Sequence, residues 1–263
     1  MEEKRRVLEF CADVGETLLL NGAEIYRTQQ TMELIARSYG AEHFNAYVLT
    51  NGLIASIRIP DTEEHAAVRN APRVEMNLGR ISAVNALSRE IVMGAVTVEQ
   101  AAARLAAIRA MRGFPLWMMA AASAVAAACF CYLMGGTALD AMAALPPGLA
   151  VGLFVQRLAR TRAPLNKLVS NMLSAGVVAL VSVLCVWMLE LAGLFCDADK
   201  VIIGGIVSLM PGIALTNGIR DVANCDYLSG TIRAIDAVLI AAGIALGVGL
   251  VLRFAALIPG VHI

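Results

Sequence analysis

A chain of 263 residues that is 59% hydrophobic, with a mean hydropathy of +0.70, is more apolar than a soluble domain needs to be and reads as a membrane protein. Basic and acidic residues number 21 each, and the basic ones are dispersed, which excludes a nucleic-acid-binding reading. Residues 1–113 hold 27 charged side chains and residues 114–263 only 15. This asymmetry predicts a mainly α fold: a small α+β cytosolic domain over 1–113, then a bundle of five transmembrane helices over 114–263.

The opening MEEKRRVLEFCADVGE is charged and has no apolar core followed by a cleavage site, so it is not a signal peptide, and the first domain is expected in the cytoplasm. Over residues 4–20, Val7, Leu8, Cys11, Val14 and Leu18 share one face of an amphipathic helix. A second helix is predicted from Ala23 to Tyr39, stopped by Gly40. The runs HFNAYVLT and LIASIRIP flank Asn51-Gly52, which predicts a hairpin with a type I′ turn, its second strand ended by Pro60-Asp61. Ile81, Val84, Leu87 and Ile91 form a stripe on a helix from Val74 to Met93. Thr97 and Gln100 have capping-box spacing and open a further helix to Arg112.

Apolar segments follow near 115–134, 139–156, 170–194, 201–219 and 234–257, each long enough to span a bilayer. Arg104, Arg109 and Arg112 precede the first. Arg157, Arg160, Arg162 and Lys167 lie between the second and third, and Arg220 and Arg233 between the fourth and fifth. Asp140 and the group Glu190, Asp197, Asp199 and Lys200 fall on the other side. Positive-inside bias therefore places the N-terminus in the cytoplasm and the C-terminus outside.

The second and fourth segments each contain a proline-glycine break, Pro146-Pro147-Gly148 and Pro211-Gly212. Proline removes a backbone donor and frees a carbonyl that lipid cannot satisfy. Paired breaks point to a transporter's substrate site, although an ordinary kink uses the same residues. Past Pro211, Thr216 and Asn217 offer polar partners, and Arg220, Asp221 and Asp226 lie toward the inner interface. They are either helix anchors or a vestibule in which Arg220 or Arg233 holds a carboxylate. Asp236 lies one turn into the fifth span, with Arg233 three residues earlier to neutralise it. The patterns Gly148-x-x-x-Gly152 and Gly243-x-x-x-Gly247 permit close helix packing within one bundle.

Six scattered cysteines and three scattered histidines give no metal site, no cofactor is implied, and no GxSxG, HExxH or P-loop motif is present. A membrane-anchored sensor or enzyme, with its chemistry in residues 1–113, is the alternative of another class.

The stretches LLLNGAEIYRTQQTMELIARSYG, FNAYVLTNGLIASI, NLGRISAVNALSREIVMG and MPGIALTNGIRDVANCDYLSGTIRAIDAVLIAAGIALG together resemble the bacterial threonine/serine exporter family, in particular the larger chain of its two-subunit form. The resemblance implies a secondary, proton-driven exporter of small amino acids, or in some relatives of succinate or another dicarboxylate, in the inner membrane. It also implies a small second membrane subunit supplying the missing spans; a homo-oligomer is a further possible assembly. Carried onto matching positions, it adds Glu24 and Arg27 in the cytosolic domain to a path of Pro147, Pro211, Gly212, Thr216, Asn217, Arg220, Asp221, Asp226, Arg233 and Asp236. Gln29 stands where the family often has an acid.

Overall fold

The computed structural model describes residues 2–41, 43–58, 64–71, 76–159 and 166–257. Its helices and one three-stranded sheet divide into two compact units: the residues up to Gly113 with Asn217–Ile232, and Phe114–Thr216 with the residues from Arg233 onward.

In the first unit, α1 (Glu2–Leu20) buries Val7, Leu8, Cys11, Val14 and Leu18, the face its periodicity predicts. Gly15 lets it close on its neighbours, since a Cβ there would lie 2.4 Å from the Met32 sulfur and 2.6 Å from Leu53. α2 (Ile25–Ser38) adds Met32 and Ile35 to the core, and α3 (Leu78–Val92) adds Val84, Leu87 and Ile91. Burying each such aliphatic side chain contributes about 1.5–3 kcal/mol. α4 (Val98–Arg109) opens with the expected reciprocal cap, in which Thr97 accepts from the Gln100 amide while the Gln100 side chain accepts from that of Thr97. It ends three residues before Arg112.

The sheet is antiparallel in the order β1 (Phe44–Leu49), β2 (Gly52–Ile57), β3 (His65–Asn70). It differs from the expectation in two ways. β3 is additional to the predicted hairpin: HAAVRN offers only one β-branched residue as a strand signal. Leu49 pairs with Gly52, so the turn is Thr50-Asn51, and neither Asn51 nor Gly52 has the positive φ of a type I′ turn. Gly52 instead admits the third strand, because a Cβ there would sit 2.6 Å from the Arg69 carbonyl oxygen. Arg69 in turn reaches back to α1, pairing with Glu9 at 2.5 Å and Asp13 at 3.1 Å. Pro60-Asp61, Val74, Arg160 and Arg162 lie outside the described residues.

Burial pushes the Cys11 thiol up to about 12. An unfolded thiol ionises near ~8.5, so the folded chain holds a neutral group that the unfolded chain would charge. This contribution to stability is intact below that pH and lost as pH rises toward 12. Alkylation of the native protein at pH 8 should therefore spare Cys11 while modifying exposed Cys225, and Cys11→Ala should flatten the alkaline loss of stability.

In the second unit, α5 (Leu116–Leu133), the run Ala138–Ala159, α8 (Lys167–Leu191) and α11 (Tyr227–Ala255, its part before Arg233 belonging to the first unit) are each long and apolar enough to cross a membrane. A fifth span arises if α9 (Ala198–Ile206), a 3-10 turn (Val207–Leu209) and α10 (Gly212–Ala223) count as one. Ala138–Ala159 comprises α6 (Ala138–Ala143) and α7 (Leu145–Ala159). Pro146 and Pro147 fall in the first turn of α7, where a missing N–H leaves no bond unmade. The second span is thus not among those bent by more than 40°, unlike the fourth. Small residues set the packing: Cβ atoms at Gly148 and Gly152 would come within 2.6–2.8 Å of α5, and at Gly243 and Gly247 within 2.1–2.8 Å of α8 backbone oxygens. Asp140 joins α6 to the start of α9, accepting from Thr137 and from the Asp197 amide at 2.8 Å.

Candidate functional site

The break in the fourth span has a local cause. Met210 precedes a proline and is driven out of the helical region to φ −62°, ψ 134°. Pro211 contributes no amide, and Gly212 turns its own to the Met210 carbonyl at 2.9 Å. That diverts from Ser208 the N–H an unbroken helix would have given its carbonyl. The flanking helices diverge by 55°. Ser123 of α5 reaches the break, its hydroxyl 3.0 Å from that of Ser208. Thr216, expected to face the path, bonds its own helix at Gly212 and Ile213. Asn217 is half-buried just before Gly218.

From Asn217 to Ile232 the chain belongs to the first unit, and there it meets the other end of the sequence. The guanidinium of Arg220 forms an ion pair with the carboxylate of Glu24, 196 positions away. Both partners are placed by helix ends of the same design. α1 closes in a Schellman motif: Gly22 at φ +84° donates to Leu19, and Ala23 donates to Leu18. Asn77 and Arg80 fasten this turn through Asn21. α10 closes the same way, with Cys225 at φ +65° donating to Val222 and Asp226 to Asp221. A side chain in that conformation costs about 1–2 kcal/mol, which a glycine would avoid. α11 then folds back tightly, since a Cβ on Gly230 would lie 2.5 Å from Val222.

The remaining predicted residues separate by role. Asp226 caps α11 through the Ser229 amide at 3.2 Å, and Asp221 is buried at 2% exposure. Arg27 bonds Gln30 on its own exposed helix face, and Gln29 bonds Glu33. Glu24 sits at the N-cap of α2 but makes no side-chain cap bond, so its carboxylate is not committed to the helix. Asp236 meets the Lys167 ammonium at 2.7 Å, where Arg233 was the expected partner. The reason is the close approach at Gly243 and Gly247, which brings the first turn of α8 alongside α11. Arg233 is half-buried at the start of the second unit's last segment, and Pro147 packs 3.5 Å from a Cβ position on Gly205. Sequence reasoning missed Lys167, Ser123 and Ser208; polar side chains inside or entering apolar spans were the available signal.

Four or five apolar helices, the fifth counted only if the pair broken at Pro211 is one span, define a multi-pass membrane protein of the transporter class. The chain belongs to the family described as “Putative threonine/serine exporter”, whose model it matches over residues 9–255. It is 24% identical over 251 residues to a “Probable threonine/serine exporter” of Mycobacterium tuberculosis, covering 95% of this chain and 46% of that protein. The chain thus spans about half the length of this curated relative. No solved structure matches it.

Proposed function

We propose that the chain is one subunit of a secondary, proton-driven exporter of small amino acids of the threonine/serine kind in the bacterial inner membrane. Its first 113 residues and N-terminus lie in the cytoplasm and its C-terminus outside. The observation that carries this reading is the span broken at Pro211, which leads over two to three helical turns to Arg220. A discontinuous helix frees backbone groups that lipid cannot satisfy and a substrate can, and a guanidinium matches a substrate carboxylate. The relative's double length supports a second membrane subunit that completes the bundle. The family's transport role speaks against catalysis by the first unit.

The test is export from cells. Deleting the gene, with any adjacent gene for a short multi-span protein, should sensitise cells fed a threonine-containing dipeptide and raise their internal threonine. Unchanged tolerance combined with raised internal succinate would move the substrate to dicarboxylates. No change in either pool would sink the transport reading.

A further inference from the structure

A guanidinium poised to take a substrate carboxylate should be open, yet Arg220 already holds one. Its side chain is 56% exposed and that of Glu24 27%, so the pair is reachable from solvent rather than sealed in the core. Glu24 is also free to leave. α2 receives no cap from its carboxylate, and Thr28 bonds the Glu24 backbone carbonyl through both amide and hydroxyl, so the helix end keeps its bonds when the side chain swings away. The other acid exposed enough to compete within Asn217–Ile232, Asp226, is committed to capping α11.

We propose that Glu24 is a resident stand-in for the carboxylate of the exported substrate: the two exchange on Arg220, and substrate binding releases the turn at Gly22–Glu24 from α10. This deepens the exporter reading and rests on it. The ligand chemistry is a small carboxylate, shared by an amino acid and a dicarboxylate. An intramolecular carboxylate at this position lowers apparent affinity by the strength of its own pair. For a half-exposed ion pair that is up to about 1 kcal/mol, or about two- to fivefold. The penalty has a use, because Arg220 is never left an unpaired cation between transport cycles.

Everted membrane vesicles from cells making the full chain, with its adjacent membrane subunit where one exists, report this as uptake of labelled threonine, serine or succinate. Glu24→Gln should lower KM about two- to fivefold, with Glu24→Ala as a second variant free of any amide bond to Arg220. The charge-swapped double variant, Glu24→Arg with Arg220→Glu, should accumulate in the membrane and melt like wild type, because the pair is rebuilt, yet fail to transport, because position 220 now repels a carboxylate. Recovery of transport in the swap would make the pair structural and overturn the proposal. So would a raised or unchanged KM in the single Glu24 variants, or failure of both to accumulate. Wild-type vesicles that take up none of the three substrates would overturn the exporter reading itself, and the exchange with it. Wild-type uptake with an unmoved KM overturns the exchange alone.

Discussion

Arg220→Gln should lower export about ten- to a hundredfold while the protein still inserts and folds. That range corresponds to the ~1.5–3 kcal/mol of a hydrogen bond to a charged group, at a factor of ten per ~1.4 kcal/mol. The loss should lie in KM rather than in protein level, since the Arg220 side chain is 56% exposed and outside the buried core. The decisive feature is sign. A structural ion pair loses function whichever partner is removed, whereas the proposed exchange predicts that removing Glu24 tightens substrate binding and removing Arg220 weakens it. Kinetics of the two single variants in the same vesicles separate these cases. Near-wild-type KM in Arg220→Gln would return the residue to the role of an interfacial anchor.

How much of this was readable in the chain depends on the range of the cause. The stripe Val7–Leu18, the Thr97–Gln100 cap and the break at Pro211 are set by neighbours within a few residues, and they form where the pattern puts them. Asn51-Gly52 was misread because a glycine signals a turn locally but can equally mark a close approach. Here the approaching group is the Arg69 carbonyl, supplied by a strand with little signal of its own. Pro146-Pro147 marks an interruption at Ala144 but not a sharp bend, and the sequence could not tell the two apart. The same residues kink a helix from inside and start one from its first turn, and only the position of the Ala144 turn decides between them. Which residues pair in Glu24–Arg220 and Lys167–Asp236 could not be read, even where the individual residues carried a signal, since the pairing depends on how helices distant in sequence are brought together. What the sequence did contain was their geometry in halves. Asn21-Gly22 places one carboxylate through a Schellman end, and the turn at Cys225 follows the arginine through another.

Gly247→Leu should be among the most damaging single changes in the membrane segments. A Cβ at 247 would lie 2.1 Å from the Met172 carbonyl oxygen and 3.0 Å from the Gly176 amide nitrogen, both backbone atoms of α8 that cannot rotate away. Overpacking of this kind typically costs about 1–3 kcal/mol, and a full leucine against a helix backbone falls at the upper end. The only relief is for α11 to move off α8, which also draws Asp236 from Lys167. Gly249→Leu is the internal control: it lies two residues further along the same helix, and a Cβ there meets nothing within 4 Å among the described residues. Leucine is the better helix former by several tenths of a kcal/mol, so this change should be neutral or slightly stabilising. Thermal unfolding of the detergent-solubilised full chain, with the yield of folded protein from membranes, distinguishes the two. Equal damage from both would mean that position 249 also meets a neighbour in the membrane. That face of α11 would then be covered by another chain, which is where a second subunit would have to sit.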